Sequence, residues 1–191
     1  TKGGKEMIRR MGLAALAALA FAVPADAKVA SLSDSGFVAV FEGEAPATPK
    51  EAYDAFLQVG TWWDGSHSFS GDAANMTITA APDGCWCETL PDGGFVRHMT
   101  PIHAAPGQML VFTGGLGPLQ FMGVSGSLLI QFAPTDAGTK VQWQMSVGGY
   151  DAGAFKDMSA AVDTVLGQQF ARYMAKLTPG AEAPAKPEGG N

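Results

Sequence analysis

The chain has 191 residues, of which 47% are hydrophobic, and its 12 basic and 18 acidic residues give a formal net charge of −6. An acidic surface repels a phosphate backbone, and no basic stripe along the sequence offsets it, which argues against nucleic acid as a partner.

The first 27 residues have the pattern of a cleavable export signal. Arg9 and Arg10 supply the positive start, an unbroken apolar run covers residues 11–23, and residues 25–27 (Ala-Asp-Ala) offer the small side chains that signal peptidase requires. The run is shorter than the about 18 residues expected of a membrane-spanning helix, so no stable membrane anchor is expected after cleavage. The two arginines also suit twin-arginine export, although their flanks match that motif poorly and general secretion is the default.

We therefore predict a signal peptide over residues 1–27, with residues 1–6 as an upstream extension, and a periplasmic or secreted protein cleaved after Ala27. Cleavage removes four basic and two acidic residues, which leaves 8 basic against 16 acidic residues and a net charge of −8. Residues 28–177 are long enough for one domain with a sizeable core. Residues 178–191 are rich in Pro, Ala, Gly and Glu without periodicity, which predicts a disordered tail.

The mature part opens with a strand and a short helical region. Residues 37–42 alternate weakly and contain β-formers, which predicts the first strand. Thr48 can cap a helix that has Pro49 at its first position and Glu51 three residues after the cap, the pattern of a capping box. Residues 62–64 (Trp-Trp-Asp) follow as a second short helix or a turn.

From residue 75 the hydrophobic period changes to two, which indicates strands separated by Pro, Gly and Asp turns. The last strand alternates most clearly, since every second residue from Val141 to Val147 is apolar and the residues between them are polar. This is the pattern of a half-buried antiparallel strand. The predicted strands of this region are 75–81, 84–90, 95–104, 108–113, 124–133 and 139–148.

Residues 151–177 are predicted to form one long helix, with Asp151 as its cap and Pro179 and Gly180 after its end. Its apolar residues recur at helical spacing. This stripe consists of Phe155, Met158, Val162, Val165, Phe170, Tyr173 and Leu177. The order of elements predicts an α+β fold, in which a curved antiparallel sheet of about seven strands packs against the C-terminal helix.

Several local patterns resemble the START-like superfamily, also called SRPBCC or Bet v 1-like. They are the helix start at 48–53 followed by the Trp pair at 62–63, the strand that runs into a Pro-Asp-Gly-Gly turn at 84–94, and Pro-Gly-Gln-Met-Leu-Val-Phe at 106–112. The last is similar to activator-of-Hsp90-like and polyketide cyclase-like members. The resemblance covers residues 37–177, and its motifs identify a fold but no reaction.

The resemblance implies a helix-grip fold with a deep cavity for a lipid, sterol, aromatic or polyketide-like ligand. Nine Met, four Trp and eleven Phe support an apolar interior, which would be either a roomy cavity or simply a packed core. The apolar loop at 114–122 would be either a gate at the cavity mouth or an ordinary packed loop. The expected ligand-binding residues are Trp62, Trp63, Phe121, Met122, Trp143, Met145, Phe155, Met158 and Val162.

The polar residues best suited to catalysis or ligand binding lie in the hairpin at 84–100. A four-residue turn at 91–94 would place Glu88 opposite Arg97 and Cys87 opposite His98. Glu88 and Arg97 would then form either a solvent-side ion pair of little value or a cavity group in which Arg97 orients a ligand carboxylate or enolate.

Cys85, Cys87 and His98 would share the other face of that hairpin. Zinc or copper would need a fourth ligand from His67 or His103, so the metal set is incomplete and no metal or cofactor is expected. A disulfide between the two cysteines would be strained along one strand. Buried free cysteines that act as small hydrophobic residues are the favoured interpretation.

Two functions of different class follow, and a third is open. The favoured one is an exported carrier of a small hydrophobic ligand. The alternative is a cyclase, dehydratase or hydrolase in the same cavity, with His98 or Glu88 as general base and Arg97 as anion stabiliser. The third is a chaperone-like envelope protein with an exposed apolar groove. No nucleophile elbow, HExxH motif, phosphate loop or dinucleotide fingerprint is present in the sequence.

Overall fold

The computed structural model of the protein describes residues 26–150 and 155–181. All but the last two positions of the predicted export signal lie outside these ranges. Residues 151–154, where the long helix was predicted to start, and residues 182–191 of the predicted tail also lie outside them. Within the described ranges, no helix combines the length and the apolar character that crossing a membrane requires.

The described residues contain eight strands, which form one antiparallel sheet. They are β1 Asp26–Ser33, β2 Gly36–Ala45, β3 Met76–Ile78, β4 Trp86–Thr89, β5 Phe95–Ala105, β6 Met109–Gly114, β7 Val124–Thr135 and β8 Gly138–Gly149. Their order across the sheet is β1-β2-β8-β7-β6-β5-β4-β3. The curved sheet and the C-terminal helix confirm the α+β prediction and are consistent with a helix grip.

The strand missing from the sequence prediction is β1, so the prediction of about seven strands was one too low. Its sequence alternates weakly, and its first two residues belong to the segment interpreted as export signal. β1 forms a tight hairpin with β2, in which Ser33 lies opposite Gly36. A Cβ atom at Gly36 would lie 2.2 Å from the carbonyl oxygen of Val147 on β8, so this approach of the backbones requires glycine.

Two α-helices flank the sheet, α1 Pro49–Leu57 and α2 Phe155–Leu177. The predicted capping box at the start of α1 is confirmed, because Glu51 N donates to Thr48 Oγ1 at 3.3 Å and Thr48 N donates to Glu51 Oε2 at 2.8 Å. Short 3₁₀ turns occupy Val59–Thr61, Gly65–His67, Ala73–Asn75 and Gly117–Phe121.

One end of the interior is filled by aromatic rings. Phe56 of α1 is fully buried, and its ring centroid lies between 5.4 and 6.2 Å from those of five other rings. These six residues, the aromatic core, are Phe56, Trp62, Trp86, Phe112, Trp143 and Tyr173. The predicted alternation of β8 is confirmed, since Trp143 and its apolar neighbours at every second position are buried. This end of the molecule is therefore densely packed.

The long helix α2 contributes side chains to both ends of the interior. In its C-terminal half, Phe170 and Tyr173 are fully buried in contact with Trp143. In its N-terminal half, Met158 and Val162 are only half-buried. The predicted apolar stripe therefore does not pack along its full length. The space beneath its N-terminal half is where the cavity described next lies.

Candidate functional site

A cavity of about 390 Å³ lies between the sheet and the N-terminal half of α2. Its walls are mostly apolar and come from α2, from β5 and β8, and from the two loops at 63–69 and 116–122. The lining residues are Trp63, Ser66, His67, Ser68, Phe69, His98, Leu116, Gly117, Pro118, Leu119, Met122, Met145, Met158, Ala161, Val162, Val165 and Leu166. A concave apolar site of this size with few polar groups is typical of small-molecule binding.

The cavity brings together part of the set of ligand-binding residues expected from the sequence. The expected residues that line it are Trp63, Met122, Met145, Met158 and Val162. Trp62 and Trp143 belong instead to the aromatic core, Phe155 is buried against Phe37, and Phe121 is 79% exposed. The aromatic side chains occupy the other end of the interior, so the cavity takes up only part of the region between the sheet and α2.

Two hydrogen bonds that the sequence analysis did not predict fix one wall of the cavity to α2. Asp64 N donates to the side-chain oxygen of the fully buried Gln169 at 2.7 Å, and Arg172 Nε donates to the carbonyl oxygen of Trp62 at 3.0 Å. Gln169 and Arg172 lie three residues apart, on neighbouring positions of one helical face. The sequence feature that could have indicated these bonds is the position of Gln169 and Arg172 beside the apolar stripe of α2. These bonds hold the loop at 62–67 as a wall of the cavity.

The main polar feature of the wall is a buried pair of side chains on adjacent strands. Glu88 of β4 and His98 of β5 are 1% and 2% exposed. His98 Nε2 lies 2.9 Å from Glu88 Oε2. His98 lines the cavity, and Glu88 lies behind it. Burial of both partners means that each must be satisfied within the protein.

The predicted pairing of Glu88 with Arg97 is wrong. The turn is one residue longer than expected, so Thr89 rather than Leu90 lies opposite Phe95, and Cys87 lies opposite Arg97. A slip of one residue moves every side chain of a strand to the other face of the sheet. Arg97 is consequently exposed and donates to the carbonyl oxygen of Gly84 at 3.4 Å. It does not reach the cavity, which removes it as a ligand-orienting or anion-stabilising residue there.

Glu88 accepts hydrogen bonds from three donors. These are His98 Nε2, Phe69 N at 3.2 Å and Ser70 N. Burial raises the pKa of Glu88, but the hydrogen bonds from Ser70, Phe69 and His98 outweigh burial and hold the pKa below its usual value. Glu88 is therefore ionised at neutral pH, because a protonated carboxyl group would have to donate where only donors surround it.

His98 is neutral at neutral pH. Burial lowers its pKa, and the hydrogen bond and the charge of Glu88 only partly offset that effect. Because Glu88 only accepts, the proton of the neutral imidazole is assigned to Nε2, and Nδ1 is left as an acceptor. Gln120 Nε2 lies 3.4 Å from Nδ1. The ring of Phe69 stacks on the imidazole with a centroid distance of 5.9 Å.

Acidification is expected to lower the free energy of unfolding in two stages. Below the ordinary histidine pKa of about 6.5, His98 becomes protonated in the unfolded chain but stays neutral in the folded protein. Protonation therefore favours the unfolded state, and the free energy of unfolding falls as the pH falls. The lowered pKa of Glu88 gives a second loss below about pH 4.3 by the same linkage. Urea unfolding of the protein and of His98→Phe at several pH values measures this. A wild-type stability that rises on acidification below pH 6.5 would contradict it.

The other two candidate residues, His67 and His103, lie in different places. His67 lines the cavity, with Nε2 at 3.3 Å from Gln168 Oε1, whereas His103 is exposed on β5. Among residues 26–150 and 155–181, no cluster of three or more His, Cys, Asp or Glu side chains could hold a metal ion.

Cys85 and Cys87 form a disulfide, so the favoured interpretation as free buried cysteines was wrong. Their Cα atoms are 5.4 Å apart, within the usual range for disulfides. A regular strand would place alternate Cα atoms about 6.6 Å apart. Cys85 precedes the first residue of β4, so the two cysteines do not lie along one regular strand.

Comparison with known proteins gives the fold. No protein-family model and no curated protein matches the chain. Solved structures do. Protein Ms6760 from Mycobacterium smegmatis is 16% identical with a TM-score of 0.54, and the match covers 83% of this chain and 100% of that one. Protein MLL2253 from Mesorhizobium loti is 14% identical with a TM-score of 0.53, covering 72% and 93%. CalU16 from Micromonospora echinospora is 10% identical with a TM-score of 0.52, covering 78% of each chain.

What is shared is the fold. At these identities the likeness extends to the arrangement of an antiparallel sheet and a C-terminal helix, loosely that of Bet v 1-like proteins. It assigns no ligand and no reaction to this chain.

Proposed function

We propose that the protein is a member of the START-like superfamily and carries a small hydrophobic molecule in the cavity beneath α2. The observation that carries this proposal is the cavity itself, about 390 Å³ in volume and walled mainly by apolar side chains. A site of that size encloses a ligand of drug-like or smaller dimensions.

The contrast between the two ends of the interior supports a binding role. Phe56 and Trp143 are fully buried at the aromatic end, with their ring centroids 5.4 Å apart. Protein interiors are normally packed to that density throughout. At the other end Met122, Met145 and Met158 surround the cavity, and flexible methionine side chains adapt to ligands of irregular shape.

Filling the cavity should abolish binding. We expect Val162→Trp to weaken binding of the neutral fluorescent probe N-phenylnaphthylamine at least about tenfold, since about 1.4 kcal/mol of lost contact suffices for that change. Ala160→Trp is the matched control, because Ala160 lies on the exposed side of the same helix. Fluorescence titration measures both variants. Equal affinity of Val162→Trp and Ala160→Trp would place the probe outside the cavity.

The natural ligand would be identified by solvent extraction of the purified protein and mass spectrometry of the extract. A stoichiometric apolar compound in the wild-type extract that is absent from the Val162→Trp extract supports the carrier proposal. An empty wild-type protein that also binds no probe would overturn it.

An enzyme acting in the same cavity is the second candidate, because His98 lines the cavity and is held by Glu88. A neutral histidine with a carboxylate behind it is suited to accept a proton from a substrate. This version of the cyclase, dehydratase or hydrolase alternative uses His98 as general base without Arg97. Incubation of the extracted ligand with the protein in heavy water, followed by return to ordinary water, tests it, since turnover would leave deuterium on carbon or a changed product and simple binding would leave neither.

We further propose that the protein is exported and works in the periplasm or outside the cell. The signal-like pattern over residues 1–27 and the disulfide between Cys85 and Cys87 support this, because disulfides persist in oxidising compartments. Cleavage after Ala27 would leave β1 paired with β2 from Lys28 onward. Amino-terminal sequencing of the expressed protein tests the proposal, and an uncleaved cytosolic product would contradict it.

A further inference from the structure

The polar groups of the cavity wall restrict what the cavity can hold. Most lining side chains are apolar, and the charged or titratable ones among them are His67 and His98. His67 is half-buried, whereas His98 is 2% exposed and fixed in place by Glu88. A ligand polar group that enters this apolar space must find a partner, because an unpaired buried polar group is costly.

His98 offers one kind of partner. Its Nε2 proton is committed to Glu88, whose carboxylate already accepts from Phe69 N and Ser70 N. Nδ1 is therefore an acceptor, and its neighbour is the amide of Gln120 at 3.4 Å. That distance is long for a hydrogen bond from N–H, whose usual range ends near about 3.2 Å. The acceptor is thus only weakly satisfied by the protein.

We propose that His98 Nδ1 accepts a hydrogen bond from a hydroxyl group of the ligand, and that the ligand class is a hydroxylated aromatic or similarly flat apolar molecule. This inference rests on the proposed function and adds the chemistry of recognition. Glu88 is a positioning residue, because it sets the tautomer of His98 without touching the ligand. A flat ligand suits Trp63 and Phe69, two aromatic residues at the ends of the loop at 63–69 that line the cavity.

Other polar groups fit this site less well. A ligand carboxylate would meet the negative charge of Glu88 through His98 without a cation to balance it, since Arg97 lies on the outer face. An ether or ketone offers only acceptors and would leave Nδ1 unpaired. A hydroxyl group donates to Nδ1 and adds no charge to the apolar cavity.

The test compares β-naphthol with its methyl ether, two flat probes that differ in the hydrogen-bond donor. We expect the wild-type protein to bind β-naphthol about tenfold more tightly, the usual size of one net hydrogen bond. In His98→Phe the ratio should fall to about one, with the ether bound as well as before within about threefold. Equilibrium dialysis measures the four affinities.

Two matched substitutions control for the loss of a histidine. His103→Phe changes an exposed residue of the same strand and should leave the preference for β-naphthol unchanged. His67→Phe changes the other histidine of the cavity wall, so it should shift the affinities for both probes together and keep their ratio. Loss of the preference in His67→Phe but not in His98→Phe would overturn the assignment to His98.

A second measurement needs no variant. Nitrogen-15 NMR of the imidazole side chains should show His98 as the Nε2-protonated tautomer, and its Nδ1 resonance should shift on addition of β-naphthol but not of the ether. An unshifted Nδ1, or equal affinity of the wild-type protein for the two probes, would overturn this inference and leave the carrier proposal standing. Failure of both probes, and of N-phenylnaphthylamine, to bind would overturn the carrier proposal and this inference with it.

Discussion

Glu88→Ala is expected to lower the free energy of unfolding by about 3 kcal/mol or more, because each buried donor left without its partner costs about 1–3 kcal/mol. The substitution leaves three donors, His98 Nε2, Phe69 N and Ser70 N, without their acceptor. Since domains of this kind are stable by only about 5–15 kcal/mol, the loss is a large part of the total. Urea denaturation followed by tryptophan fluorescence measures it.

A solvent-exposed pair provides the control. Glu42 Oε2 lies 3.1 Å from Lys140 Nζ, with both side chains exposed to solvent over more than a third of their surface. Glu42→Ala should therefore change stability by no more than about 1 kcal/mol. The conservative Glu88→Gln should fall between the two, because its amide oxygen still accepts while its NH₂ group faces donors. Equal effects of Glu88→Ala and Glu42→Ala would contradict the buried-pair description.

Phe56→Ala should also destabilise the fold by about 3–5 kcal/mol, as large-to-small changes at buried aromatic positions do. Phe56 is fully buried and its ring meets those of Trp62, Trp86, Phe112, Trp143 and Tyr173. Removing the ring opens a void where helices and sheet meet. Thermal or urea unfolding gives the size of the loss.

Phe95→Ala is the matched control, because Phe95 is 74% exposed at the start of β5. Its effect on stability should stay within about 0.5 kcal/mol. Phe56 does not line the cavity, so the folded fraction of Phe56→Ala should bind N-phenylnaphthylamine with wild-type affinity. A marginal loss of stability in Phe56→Ala would mean that the aromatic core does not hold the two layers together.

The elements with strong local signals were predictable from the sequence. The capping box of Thr48 and Glu51 fixed the start of α1, and the alternation from Val141 to Val147 fixed the buried face of β8. In both cases a few neighbouring residues decide the conformation. The weak alternation of β1 gave no such signal, because that strand is stabilised by pairing with β2 rather than by its own pattern.

The candidate site was only partly predictable. The sequence indicated Glu88 and His98 as candidate functional residues, but it predicted that Glu88 pairs with Arg97. Register in this hairpin depends on one extra residue in the turn and on the irregularity at Trp86 and Cys87, which the sequence pattern does not encode. The same holds for the cavity walls. Trp62 and Trp63 are adjacent and chemically identical, yet one fills the aromatic core and the other faces the cavity.

The strand order also has a consequence for the sequence of folding events. Strands β3 to β8 each pair with their neighbour in the chain, whereas the hairpin of β1 and β2 joins the sheet only through β8. Pairing β2 with β8 closes a loop that spans about half of the chain, which costs more entropy than any of the local pairings, and such contacts form slowly. The meander of β3 to β8 can therefore assemble first. Until the hairpin docks, β8 is an unpaired edge in addition to β3, and another chain could join the sheet there.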